Sequence, residues 1–213
     1  MGTTSVKAAG IRWAAAGAAV LLLTGCGGDG GDDKATALDK AQVTSVLPDE
    51  GALPDWKFSE DPSAAPMSEA ARKNFCPSTE GEGCEDSSFF GSVSFRRDDE
   101  NASARFWMVA YKDEKAAEAA YDVLWKNTAR TAGRDKADLG SVGAQSNAVA
   151  GPVGYDGAYG VTGQIRVGTA LLWVASDARS EKALDKDLVK DLAALFSDRA
   201  QQVQNGDDPS AKL

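Results

Sequence analysis

Polar and apolar positions alternate with two periods along this chain, and the switch between them gives the order of elements. Apolar residues three and four apart predict helices over about 36–47, with Leu38, Ala41 and Val46 on one side and Pro48 as the stop. A short helix over about 68–75 follows, opened by Ser68 as N-cap. A third starts after the cap Asp113, carries the stripe Ala117, Ala120, Tyr121, Leu124 and Thr128, and ends at Gly133. The fourth, about 181–204, has the seam Leu184, Leu188, Leu192, Leu195 and Phe196. Period-two or continuous apolar runs predict strands near 55–60, 88–97, 103–112, 144–150, 159–166 and 170–177. The last two form a hairpin turning at Val167-Gly168-Thr169, and Asp98 to Ala102 is turn chemistry between two others. Hairpins rather than crossovers join the strands, which predicts an α+β fold: an antiparallel sheet with amphipathic helices packed on one face.

Both halves read hairpin then helix, and Trp107 falls on Trp173 when they are overlaid. Few identities accompany the match, so a shared hydrophobic pattern is favoured over a duplication.

The N-terminus follows a different plan. Lys7 and Arg12 stand in an acid-free stretch ahead of Trp13 to Leu23, a run of Ala, Gly, Val and Leu with one Trp that is too short to cross a bilayer. A positive region, a short apolar run and a small residue are the layout of a secretory signal peptide, with an uncleaved N-terminal helix as the alternative. Leu23-Thr24-Gly25-Cys26 resembles the lipobox of bacterial lipoproteins. That resemblance implies cleavage between Gly25 and Cys26 and a diacylglyceryl group on the Cys26 sulfur. The implied organisation is a signal peptide over 1–25, an acylated flexible tether over 26–34 rich in Gly and Asp, a single globular domain over 35–205, and a disordered tail over 206–213.

With Cys26 acylated, Cys76 and Cys84 remain as an even pair, free to join in an oxidising compartment. The loop between them holds two Gly and one Pro, flexible enough to bring the sulfurs together. A redox-active pair is the alternative, although redox motifs favour a tighter spacing.

Composition narrows the chemistry. The 213 residues include no histidine, which excludes His-based triads and His zinc sites. Net charge is −9 and becomes −11 without residues 1–25, an acidic balance that argues against nucleic acid and leaves the lipid to hold the protein on a membrane. Ser141 in Gly-Ser-Val-Gly is not a nucleophile elbow, and the acidic pairs sit in turns or tails. No catalytic residue, metal ligand or cofactor is expected.

Aromatic residues remain as candidates for binding. Trp107 and Trp173 lie on strands that are apolar on both sides, for which core packing is the default and an apolar cavity the alternative. Tyr155 and Tyr159 stand on the Gly-rich stretch 151–160, a composition suited to adaptable contacts. A groove beside Trp107, Trp173 and that stretch is the expected ligand site.

Leu47-Pro48, the segment Ala52-Leu53-Pro54-Asp55-Trp56, the cysteines of the first half and the run from Leu139-Gly140 to Arg166-Val167-Gly168-Thr169-Ala170-Leu171-Leu172-Trp173-Val174 resemble actinobacterial cell-surface lipoproteins. More distantly they are similar to the extracellular sensor domains of actinobacterial serine/threonine kinases. The resemblance implies a cleft-bearing α+β module that binds something outside the cell, and the groove beside Trp107 and Trp173 is expected to take a small apolar or amphipathic ligand at the extracytoplasmic face of the cell membrane. An interaction protein docking on another envelope protein is the alternative, and a carboxylate-dependent envelope hydrolase a remote one.

Overall fold

The computed structural model describes residues 35–78, 81–97, 102–130, 134–154 and 157–213. Residues 1–34, with the predicted signal peptide, Gly25, Cys26 and the tether, lie outside them, as do 98–101, Gly133 and Tyr155.

Side-chain caps set where the helices begin. Helix α1, Lys40–Val46, starts later than its apolar spacing suggested because Asp39 and Gln42 form a capping box, each side chain holding the other's backbone N–H. Ser68 accepts from the amide of Ala71 at the start of α2, Glu69–Phe75, and Asp113 from that of Ala116 at the start of α3, Glu114–Ala129. Helix α4, Lys186–Gln204, is capped by Asp185, which takes the amides of Asp187 and Leu188. The predicted helix from 181 is therefore two pieces, a single 3₁₀ turn over Glu181–Ala183 and then α4.

Among the described residues seven antiparallel strands form one sheet, and the fold is α+β. They are β1 (Lys57–Pro66), β2 (Ser87–Arg97), β3 (Ala102–Tyr111), β4 (Asp135–Ala137), β5 (Gln145–Val153), β6 (Ala158–Val167) and β7 (Ala170–Ala178), in the spatial order β1-β2-β3-β7-β6-β5-β4. Strand β1 runs past its predicted end through Pro62, which an edge strand tolerates because its free side needs no N–H donor, and its pairing with β2 shifts register there. Strand β4 was not predicted, being three residues long with two of them charged.

The helices cover both faces of the sheet, not one. On one face Phe95, Phe106, Met108, Ile165, Leu172 and Val174 pack under Val43 and Val46 of α1 and Leu192, Leu195 and Phe196 of α4. On the other, Val109, Tyr111, Leu171 and Trp173 pack under Ala117, Ala120, Tyr121 and Leu124 of α3, beside the Cys76–Cys84 disulfide. The cause is in β3 and β7, whose side chains are apolar on both sides and need two covers. The placement also separates the two halves: Trp107 and Trp173 are register partners, yet α3 and α4 lie on opposite faces, so the halves share an order of elements and not an arrangement.

Residues 206–213 are held in place, in contrast to the disordered tail expected of a chain terminus. Gln202 of α4 accepts from the amide of Ser210 at 2.8 Å, Arg199 donates to the carbonyl of Ala211 at 3.3 Å, and the Leu213 amide reaches the carbonyl of Ala52 at 2.9 Å.

Candidate functional site

Among the described residues a cleft lies at one end of the α4 face, between the sheet edge and the start of the helix. Its floor is apolar, made by Ala137 of β4, Ala150 of β5, Val161 of β6 and Val189 of α4, with the half-buried Tyr159 of β6 beside them. Asp135, Lys136 and Asp138 line the side given by β4. Glu181 from the 3₁₀ turn and Lys186 and Lys190 from α4 line the opposite side. The space, open on one side, is about 330 Å³, at the small end of the range of small-molecule sites.

Local chemistry explains each wall. Asp138 accepts from the amide of Gly140 at 2.9 Å and so turns the chain out of β4 toward Leu139, whose side chain fills the space left by the missing Cβ of Gly163. Lys186 pairs with Glu181 and Lys190 with Asp187, each at 3.4 Å and well exposed, pairs that contribute little and exchange easily with other partners. An acid catalyst needs a carboxyl shielded from water, and Asp135, Asp138 and Glu181 are all exposed. The arrangement sets charged side chains of both signs around an apolar floor.

The aromatic residues singled out from the sequence do not share this site. Trp107 and Trp173 stack on the α3 face, ring centroids 6.2 Å apart and planes within 3° of parallel. Trp173 is fully buried and Trp107 half-buried. Tyr159 is on the opposite face, in the cleft, and Tyr155 lies outside the described residues. The expected single groove is thus divided by the sheet itself, because alternate residues of a strand point to opposite sides.

Under α3 the packing is partly polar. The indole N–H of Trp173 donates to the Gln164 side-chain carbonyl at 3.1 Å, and the Gln164 amide donates to the Tyr121 backbone carbonyl at 2.7 Å. Asn147 donates to the Tyr121 hydroxyl at 2.9 Å. Burial, opposed in part by that hydrogen bond, pushes the Tyr121 phenol up to about 12. At the end of the same layer Arg166, buried, donates to Gln145 at 2.6 Å and pairs with Glu114 at 3.2 Å.

The disulfide loop closes the other end of the α3 face. Cys76 and Cys84 are bonded, with Cα atoms 6.1 Å apart and the Cys84 side chain fully buried. Tyr111 donates its hydroxyl to the carbonyl of Gly83 at 2.9 Å, and burial, with Glu85 nearby, raises its pKa. Among the described residues no group of three or more metal-ligating side chains converges, and no helix is long and apolar enough to cross a membrane.

The sequence reading passed over Asp135, Lys136, Asp138, Lys186 and Lys190. Nothing local in the sequence marks them, and only the approach of β4 to α4 makes them walls.

Likeness to known proteins is confined to the fold. No protein-family model matches the chain, and no curated protein matches it. Among solved structures it is similar to the extracellular domain of PknH from Mycobacterium tuberculosis, with a TM-score of 0.54 and 9% sequence identity over 81% of this chain and 100% of that chain.

Proposed function

We propose that this chain is an extracytoplasmic binding module, sensor-like and without catalytic activity, held on the cell membrane through acylated Cys26. Its ligand is a small amphipathic molecule bound in the cleft between β4, β6 and α4. The observation that carries the reading is the cleft, an apolar floor with Tyr159 ringed by charged side chains of both signs. Three further features support the extracytoplasmic placement: the leader that ends in Leu23-Thr24-Gly25-Cys26, the disulfide, which persists in oxidising compartments, and a fold shared with an extracellular domain.

Two measurements test it. Intact mass spectrometry of the chain extracted from its native membrane should show loss of residues 1–25 and an acyl-glyceryl adduct, both absent in Cys26→Ala. An unmodified full-length chain would sink the anchor. Thermal unfolding against a panel of small amphipathic compounds should find ligands that raise Tm. Ala137→Trp, which fills the cleft from an edge strand, should abolish the rise while leaving the Tm of the unliganded protein within a few degrees.

A further inference from the structure

The side chains that line the two walls of the cleft carry opposite net charge, with Asp187, the partner of Lys190, standing outside the lining. On the β4 side stand Asp135, Lys136 and Asp138, two carboxylates to one ammonium, and on the helix side Glu181, Lys186 and Lys190, two ammoniums to one carboxylate. The apolar floor separates them. A ligand with one kind of charge would be drawn to one wall and repelled by the other, whereas a dipolar ligand satisfies both. The exposed pairs Lys186–Glu181 and Lys190–Asp187 leave both ammoniums able to turn toward an incoming carboxylate.

Resting on the binding role proposed above, we infer that the cleft takes a small zwitterion with an apolar body, an apolar amino acid or short peptide. Its ammonium faces Asp135 and Asp138 and its carboxylate faces Lys186 and Lys190. A zwitterionic lipid headgroup carries the same two charges, and the experiment separates the two sources. The described chain starts beside the β6–β7 turn, where Thr169 donates to the carbonyl of Thr36 and Gln204 of α4 accepts from the amide of Thr169. The cleft is at the other end of the same elements. From Val167 to Tyr159 along β6 is about 26 Å, and from Gln204 to Lys186 along α4 about 27 Å. The cleft thus lies about 26 Å from the end of the sheet at which the described residues begin.

The test uses the full chain extracted from its native membrane and placed in phosphatidylglycerol nanodiscs, titrated calorimetrically with L-leucyl-L-alanine. Saturable binding that Ala137→Trp abolishes is expected. Acetylation of the peptide amine or amidation of its carboxyl should each weaken binding about fivefold, the effect of losing one exposed ion pair. Asp135→Asn with Asp138→Asn should weaken the free peptide to the same extent and leave the acetylated peptide unaffected. Equal affinity for the free and the blocked peptides would overturn the inference. So would displacement of the peptide when phosphatidylethanolamine is added to the discs, which would make the lipid the occupant. If the peptide fails to bind while another amphipathic compound raises Tm in the Ala137→Trp-sensitive manner, the zwitterion is wrong and the binding role stands. If neither binds, both fail.

Discussion

The side-chain amide of Gln164 joins Trp173 to Tyr121: its carbonyl accepts from the indole N–H at 3.1 Å, and its NH2 donates to the Tyr121 backbone carbonyl at 2.7 Å. Gln164 and Trp173 are both fully buried, so one polar side chain ties β6 to β7 and to α3 in a layer that water does not reach. Gln164→Leu keeps the volume but strands the indole donor. Urea unfolding should show a loss of about 1 to 3 kcal/mol, the cost of a buried donor without a partner. Gln164→Leu combined with Trp173→Phe removes donor and acceptor together and should recover part of that loss. A double variant no better than the single one would mean that packing, not the hydrogen bond, holds this layer.

Tyr121 makes the same layer sensitive to alkali. Its phenol is pushed up to about 12 in the folded protein, mainly by burial, against about 10 in the unfolded chain. Between those values the unfolded chain loses this proton while the folded one keeps it, so the unfolded state binds fewer protons and stability falls as pH rises. The contribution is complete below about pH 10 and is lost as pH approaches about 12. Tyr121→Phe should flatten that part of the Tm profile between pH 9 and 12, with tyrosinate absorbance reporting ionisation directly. Parallel profiles for the two proteins would show that Tyr121 is already open to solvent.

Arg199 locks α4 to α1 through backbone groups. It is 5% exposed and donates to the carbonyls of Ser45, Val46 and Leu47, where α1 ends, and of Ala211 in the C-terminal segment. The end of a helix leaves carbonyls without partners and a partial negative charge, and a buried guanidinium answers both. Arg199→Met should cost roughly 2 to 4 kcal/mol and loosen the contact between Leu213 and Ala52. Arg199→Lys should rescue little of this, because an ammonium cannot reproduce the planar fork. Hydrogen exchange at Leu213 and along α1 provides a readout separate from global unfolding.

Features written in local sequence were legible. Ser68 and Asp113 cap the helices they were expected to cap, and the turn at Gly168 joins the predicted hairpin with φ of 47°. What failed depends on groups distant in the chain. Strand β4 exists because the β5 backbone offers Ala148, Val149 and Ala150 as partners, not because Asp135-Lys136-Ala137 favours a strand. The apolar pattern of Trp107 and Trp173 showed two buried faces but not which helix covers which, so Tyr159 was grouped with indoles that lie across the sheet from it. Lys186 and Lys190 stood on the polar side of an amphipathic helix, where charge is ordinarily solvated, and nothing local to α4 announces the strand edge opposite.

The disulfide should stabilise the fold by limiting the unfolded chain. Closing the short loop from Cys76 to Cys84 is worth about 2 to 3 kcal/mol by chain entropy. Cys76→Ser with Cys84→Ser should lose that amount, together with the packing of Cys84 against the α3 layer, without changing ligand binding in a cleft on the opposite face. Because the Cys84 side chain is fully buried, reduction of the native protein should wait for local opening and run far slower than in denaturant. Prompt reduction under native conditions would instead identify a bond exposed by motion of the disulfide loop, and would favour the redox-active reading of this pair over the structural one.

Gly91 tests the other side of the sheet. A Cβ there would stand 2.7 Å from Cγ1 of Val43 and 3.4 Å from Cδ1 of Leu47, so the glycine is what lets α1 lie directly on β2. Backbone freedom is not the issue, since Gly91 lies within β2 and is not one of the glycines with positive φ. Gly91→Ala is therefore expected to destabilise by overpacking, about 1 to 3 kcal/mol, despite the higher strand propensity of alanine. Adding Val43→Ala opens space at the point of contact and should recover part of the loss, although Val43→Ala alone is destabilising because it empties a fully buried site. That reversal of sign is the decisive readout in denaturant unfolding. Additive losses in the double variant would show that α1 does not rest on β2 at this point.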